Sequence, residues 1–290
     1  MLDEILTPEE RAVVARAKAF AEEHVAPNAA RWEWERRYPL ETIKAACAAG
    51  LHTIELAATH GGQGLSFSCK LRAFEEIARH DFAFAFALIN HHNAVARFAR
   101  DGQPAHVARL LPRMIAGEVI GCAGLSEPGV GSDFGGLEMA AVRVEGGWKL
   151  NGAKAWITNA AVAGLSVAYA QTDKAQGYRG IGCFAIEADR PGFHRDEPFD
   201  LHGGHAIGVG GFRLVDYFAP DEAVDIGKIA RTTLTARGGA GKGTPVKLAK
   251  AEHAYTAKLA GPAVVIEGMT EYGVLAKGGK PFQLRYHPRA

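Results

Sequence analysis

Near residue 119 the chain changes character, and that change limits the folds open to it more than any single motif. Up to about Glu118, apolar residues recur at helical spacing, and proline or glycine stops arrive at helix length. From Val119 to about Pro220 they come instead in short β-branched or aromatic runs: VIGCAGL, LEMAAVRV, WKLNGAKAWITN, LSVAYAQT, IGCFAIEA and FRLVDYFAP. Gly, Asn, Asp and Pro punctuate those runs at close intervals, as in an antiparallel sandwich or barrel. Beyond Asp221 the text reads as helical again, with two helices broken at Gly261–Pro262. The predicted fold class is therefore α+β multidomain. It has an N-terminal all-α domain over 1–118, a middle antiparallel β-sandwich or barrel domain over 119–221, and a short C-terminal α-helical segment over 222–290.

Local signals sharpen the first two parts. Thr7 is placed to cap a helix, with Pro8 at its first position and Glu10 where a capping-box acid belongs. Val13, Ala17, Phe20 and Ala21 then mark the buried stripe, and Pro27 closes that helix. PLETIKAACAAG predicts a second helix stopped by Gly50. HGGQGLS is a glycine-rich loop before a long helical stretch, and PAHVARLLPRMIAGE adds one more helix. EGGWKLNG predicts a hairpin turning at Gly146–Gly147.

Composition excludes several classes. A chain of 290 residues with net charge +1 has no global bias toward nucleic acid or an anionic membrane. Its apolar runs are far short of a membrane span. The N-terminus is acidic and has no apolar signal core. Cys47, Cys69, Cys122 and Cys183 have neither metal nor redox spacing, so a cytoplasmic location is expected.

Two segments of the middle part carry the chemistry: LSEPGVGSD, Leu125 to Asp133, and LNGAKAWITNAAVA, Leu150 to Ala163. Together, and in this order, they resemble the signature of the acyl-CoA dehydrogenase family of flavoenzymes, with Ser126 in place of the usual threonine. The GGQGLS and GGFRLVDYFAP segments resemble flanking text of the same family. The resemblance runs from Leu6 to about Pro220. It implies FAD as cofactor and an acyl-CoA or other acyl thioester as ligand. It also implies α,β-dehydrogenation with hydride transfer to the flavin, within fatty acid metabolism. Electrons would pass on to an electron-transfer flavoprotein or another acceptor. A homodimer or homotetramer is implied as well. By the family pattern Trp156 packs against the flavin ring, with Ile157 beside it, and Thr158 meets the ring's reactive edge. Leu125 and Ser126 hold its pyrimidine side. Gly131 and Ser132 approach a phosphate, since glycine removes the Cβ obstacle. Ser132 and Asn93 would also meet the substrate.

The C-terminal part departs from the pattern. The family's helical bundle there is about twice as long, and it supplies the base that takes the α-proton. Here Ala230 stands before Arg231, where one family branch has an acid, and the Tyr-Glu-Gly-Thr segment of the other branch is missing. The base stays open, with Glu267 and Glu271 nearest in order. An alternative is a catalytically silent relative that binds a thioester or acts as a scaffold. His91 and His92 are adjacent on a helix and point apart, so no metal pair is expected. RGGAGKGTP, Arg237 to Pro245, resembles a phosphate-binding loop. However, Ala236 stands where its first glycine belongs, and about 45 residues are too few for the parallel sheet it needs.

Overall fold

The structure is a computed structural model that describes residues 2–225 continuously, and beyond them 235–237, 246–247, 256–260, 263–267 and 284–285. A single turn, α1 (Leu2–Ile5), precedes α2 (Pro8–Phe20). The capping box forms as predicted: Glu10 N–H donates to Thr7 Oγ1 at 3.2 Å and Thr7 N–H to Glu10 Oε2 at 2.9 Å. Glu10 Oε1 also accepts from Ser66 N–H at 3.0 Å, so one carboxylate anchors the starts of two helices. After α2 the chain passes through a π-helical turn (Ala21–Val25) and α3 (Ala29–Trp34) to α4 (Leu40–Ala48), which stops at Gly50 with φ +71°. The long helical stretch divides into α5 (Phe67–Ala78) and α6 (Phe82–Asp101) because Asp81 caps the second, accepting from Phe84 N–H at 2.8 Å. Helix α7 (Pro104–Ile115) completes this part. Val13, Ala17, Phe20 and Ala21 are buried in one core with Ile43, Phe74, Ile77, Phe84 and Leu88.

The second part is an eight-stranded curled sheet. Its strands are β1 (Gly121–Gly124), β2 (Ala140–Val144), β3 (Gly147–Ile157), β4 (Leu165–Gln171), β5 (Ile181–Glu187), β6 (Phe193–Arg195), β7 (Gly210–Pro220) and β8 (Val224–Asp225), in the order β6-β7-β3-β2-β4-β5-β8 with β1 beside β4. Most pairs are antiparallel, as expected. However, β1 runs parallel to β4 and Ala140 of β2 pairs in parallel with Gln171, so the sheet is mixed. A strand that arrives from a helix and pairs only after a long connection is free to run parallel. The β2–β3 hairpin turns at Glu145–Gly146, one residue earlier than predicted, since Val144 pairs with Gly147. Gly146 takes the left-handed conformation there, with φ +71°. Strands β4 and β5 are buried on both faces. One face meets Val95, Phe98, Leu110 and Met114 of α6 and α7, and the other meets Leu150, Phe212 and Leu214 inside the curl. This explains why their sequences are nearly continuous apolar runs.

Residues Met1–Lys228 form one compact unit and Ile229–Ala290 a second. The α-helices expected over 222–290 are not found among the described residues: Asp221–Ala223 form one 3-10 turn and the rest are extended. Strands β9 (Thr235–Arg237), β10 (Val246–Lys247), β11 (Thr256–Ala260), β12 (Ala263–Glu267) and β13 (Leu284–Arg285) pair in the order β10-β9-β11-β12-β13. The β-branched run Val264–Val265–Ile266 favours a strand, and Gly261–Pro262 falls between two antiparallel strands rather than two helices. Glycine and proline punctuate both arrangements alike. Gly238–Pro245 of the phosphate-loop text lies outside the described residues.

Glu187, at the end of β5, ties the sheet to α7. Arg109 donates to both of its oxygens at 2.8 Å, Arg190 Nε donates at 2.9 Å, and His106 Nε2 lies 3.4 Å away. Tyr217 Oη accepts from the Glu187 N–H at 2.9 Å and donates to its carbonyl at 3.2 Å. Burial alone would raise the Glu187 carboxyl, but hydrogen bonds from His106, Arg109 and Arg190 outweigh it and hold the group well below the usual carboxylate range. A depressed folded-state pKa adds stability that is present above the unfolded value and is lost as pH falls below it. Glu187→Gln is expected to cost about 2–4 kcal/mol at pH 7, below the roughly 3–5 kcal/mol for removing one partner of a fully buried pair because Arg109 is half-exposed. Its deficit against the unsubstituted protein should shrink as pH falls below about 4.3. Urea unfolding at pH 7 and pH 4 checks both expectations.

Candidate functional site

The two signature segments meet through one buried ion pair. Lys154 Nζ donates to Glu127 Oε1 at 2.8 Å and to the Leu125 carbonyl at 3.0 Å, and the two charged side chains are 0% and 4% exposed. Glu127 also accepts from the Glu138 and Met139 N–H groups, at 2.6 and 3.1 Å. Burial pushes the Lys154 amine down, and the Glu127 hydrogen bond and charge partly restore it. Glu127 is therefore structural, and it folds its own segment back: its N–H and carbonyl pair with those of Val130 at 2.8 and 3.2 Å. Beside the pair, Ala155 N–H donates to the Ser126 carbonyl at 3.0 Å. Leu125 and Ser126 are thus laid against β3 one residue before Trp156.

Trp156 is turned outward by a bulge. Lys154 pairs with Phe212 and Ile157 with Gly210, so Ala155 and Trp156 together oppose Gly211. Gly211 is required there, because a Cβ would come within 2.5 Å of the Lys154 carbonyl oxygen. Trp156 adopts φ +62°, a left-handed conformation uncommon for a bulky residue. Trp156 is 62% exposed and Leu125 41%, so the two segments each present a large apolar side chain to the surface. The ring of Trp156 meets that of Phe199, with centroids 4.4 Å apart. Thr158 is half-buried, and Ile157 is buried, so Ile157 offers backbone rather than side chain.

Past the Glu127–Val130 turn, Gly131 and Ser132 are exposed. A Cβ added at Gly129 or Gly131 would meet nothing within 4 Å, so the backbone there faces open space. An exposed indole, an apolar neighbour, hydroxyls at Thr158 and Ser132 and an open glycine backbone suit a planar heteroaromatic ring carrying a phosphate chain. Asn93 is exposed on α6 and shares no described hydrogen bond with these segments. Glu267 ends β12 in the second unit, and Glu271 lies outside the described residues.

Sequence reasoning missed a buried polar cluster in the helical part. Donor atoms of Cys47, His52 and His91 lie within 4.8 Å of one another. The two imidazole rings are stacked, with centroids 5.0 Å apart and planes 14° from parallel. In-plane lone pairs of stacked rings do not converge on one ion. His91 Nδ1 accepts from the Gly121 N–H at 2.9 Å, and its Nε2 donates to the Met114 carbonyl at 3.1 Å. Burial pushes His91 down to about 4, which keeps the ring neutral with one donor and one acceptor. His92 points the other way: Nδ1 donates to the His52 carbonyl at 2.7 Å, and Nε2 accepts from Lys70 at 3.2 Å. No periodicity reveals such a cluster, because its members come from separate elements.

Comparison with known proteins agrees with the geometry. The family profile "Acyl-CoA dehydrogenase, N-terminal domain" matches residues 7–118, and "Acyl-CoA dehydrogenase, middle domain" matches 122–216. The chain belongs to the acyl-CoA dehydrogenase family, whose members are flavin-dependent oxidoreductases. Among curated relatives it is 34% identical over 208 residues to a mitochondrial isovaleryl-CoA dehydrogenase of Oryza sativa subsp. japonica, covering 71% of this chain and 51% of that protein. Among solved structures it is similar to a glutaryl-CoA dehydrogenase from Mycobacterium smegmatis in complex with FADH2, at TM-score 0.71 and 29% identity over 77% of this chain and 56% of that one. A chain solved in work on the electron transferring flavoprotein of Acidaminococcus fermentans gives TM-score 0.73 and 28% identity over 76% and 58%. The chain spans about half the length of the curated relatives it matches. No helix among the described residues is long and apolar enough to cross a membrane.

The ion pair predicts a specific thermodynamic pattern. Lys154→Met alone should cost about 3 kcal/mol, because Glu127 is left buried and unpaired. Combining it with Glu127→Leu should cost less than the sum of the single changes, and a double-mutant cycle in denaturant measures the coupling.

Proposed function

We propose that this chain binds FAD on the Leu125–Trp156 face and dehydrogenates an acyl thioester at the α,β position. The observation that supports it best is the pairing of exposed Leu125 and Trp156 by a buried salt bridge and a glycine-opposed bulge. A fold sets up such a surface at a cost in backbone strain, and a flat ligand covers it. FAD, when bound, supplies the hydride acceptor. The chain's own residues bind and orient. The indole of Trp156 packs on one ring face, and Leu125 and Ser126 flank the pyrimidine edge. The Thr158 hydroxyl and backbone meet the opposite edge, and Gly131 and Ser132 take a phosphate. Ser132 and Asn93 are the proposed substrate contacts, and the base is sought at Glu267 or Glu271.

The relatives' names support a short or branched acyl-CoA as the substrate class. An electron-transferring flavoprotein is the proposed acceptor, and a homodimer or homotetramer the proposed assembly. The four cysteines are buried and none is in a disulfide, which suits a reducing compartment, cytoplasm and mitochondrial matrix alike.

The test is direct. Purified protein incubated with FAD and desalted should stay yellow, and anaerobic isovaleryl-CoA or butyryl-CoA should bleach it. No retained flavin overturns the reading, and flavin retained but never bleached leaves the silent relative in its place. Trp156→Ala should weaken FAD binding at least about tenfold, in the range for a lost aromatic stacking partner, as measured by quenching of flavin fluorescence.

A further inference from the structure

Trp156 is 62% exposed, so beyond its contact with the Phe199 ring its direction is set by the backbone on either side. On the N-terminal side the sheet fixes it, through the bulge opposite Gly211. On the C-terminal side the fixed point is Asn159. This residue is 0% exposed and has φ +67°. Its Nδ2 donates to the Ala87 carbonyl of α6 at 2.8 Å and to the Gly121 carbonyl of β1 at 3.3 Å. Its Oδ1 accepts from the Tyr38 hydroxyl at 3.1 Å. Its own N–H donates to the Ile207 carbonyl at 3.1 Å, and its carbonyl accepts from Val162 and Ala163 at 3.0 and 2.9 Å. Every polar atom of Asn159 is engaged.

The same grip extends one turn along α6, where His91 takes the Gly121 N–H. Gly121 has no room for a side chain, since a Cβ would stand 2.7 Å from the Ala94 methyl. Tyr38 is held in turn by Gly208, where a Cβ would come within 2.5 Å of the ring and φ is +60°. Helix α6, β1, Tyr38 and the 205–208 turn therefore converge on one amide, three residues past Trp156 and next to Thr158.

We infer that Asn159 is a positioning residue for the flavin face, carrying the docking of α6 and Tyr38 into the orientation of Trp156 and Thr158. The inference rests on the flavin reading above. Asparagine suits the position because it tolerates a left-handed backbone and carries both a donor and an acceptor. Aspartate has the same shape but turns an oxygen toward two carbonyls.

FAD titration of the full chain, with visible circular dichroism of the bound flavin, tests it. Asn159→Asp should weaken FAD binding about tenfold or more, equivalent to about 1.4 kcal/mol, and should change the flavin dichroism. Tyr38→Phe keeps the ring on Gly208 and should weaken binding about two- to fivefold, as expected for one lost hydrogen bond. Glu10→Gln, which loosens helix caps far along the chain, should leave both readouts unchanged although it lowers the melting temperature. Folded Asn159→Asp with the affinity and dichroism of the unsubstituted protein overturns the inference. If Asn159→Asp does not fold, an unchanged Tyr38→Phe overturns it. Failure of the unsubstituted protein to take up FAD overturns the flavin reading itself, so the two failures are distinguishable.

Discussion

The contact between Lys154 and Glu127 organises the middle of this molecule. Two opposite charges removed from water hold each other only at short range and with their other hydrogen bonds satisfied. Here the lysine also takes the Leu125 carbonyl, and the glutamate takes two backbone N–H groups. The pair thus fixes a loop, a strand and the start of β2 at once. Removing the loop's anchor would free Leu125 and Ser126 from β3, although neither residue touches the other charges through its side chain. A buried ion pair is weak evidence for stability, but in the observed register of the loop both ions have their hydrogen-bond partners.

Much of the helical part was legible because local rules and the fold agree there. The Thr7–Glu10 capping box, the Val13–Ala17–Phe20 stripe and the Gly50 stop are each decided within one or two turns of chain. The middle sheet was legible as strands, but its parallel β1–β4 pairing was not, since partners over forty residues apart leave no local trace. At the site, the two signature segments were legible as text, but the geometry that lays one against the other was not. Nothing about tryptophan announces a left-handed backbone, and the bulge that imposes it depends on Gly211 of another strand. Asn159 was half legible: asparagine is a natural occupant of that backbone region, but its partners Tyr38, Ala87 and Gly121 come from three other elements. In the last part a helical reading gave way to strands wherever the chain is described. Val264–Val265–Ile266 has no polar alternation to distinguish a buried helix from a strand.

The family assignment and the half-length match belong together. The helical and middle segments are the parts that match the family's two domains, and in this chain they pack as one unit through α6, α7 and the β4–β5 face. The matched text ends at residue 216, and the chain spans about half the length of its curated relatives. Binding and chemistry are therefore separable questions here, and a flavin spectrum answers the first without waiting for the second.

The bulge at Trp156 has a consequence for the energetics of recognition. A left-handed backbone at a bulky residue costs about 1–2 kcal/mol, and the bulge opposite Gly211 imposes it on Trp156. Strand pairing on both sides of the bulge holds that backbone as part of the sheet. A segment held by its own sheet needs little further ordering to meet a planar partner. Changes that relax the bulge should therefore raise the stability of the free protein while lowering its affinity, placing this short segment where folding and function pull in opposite directions.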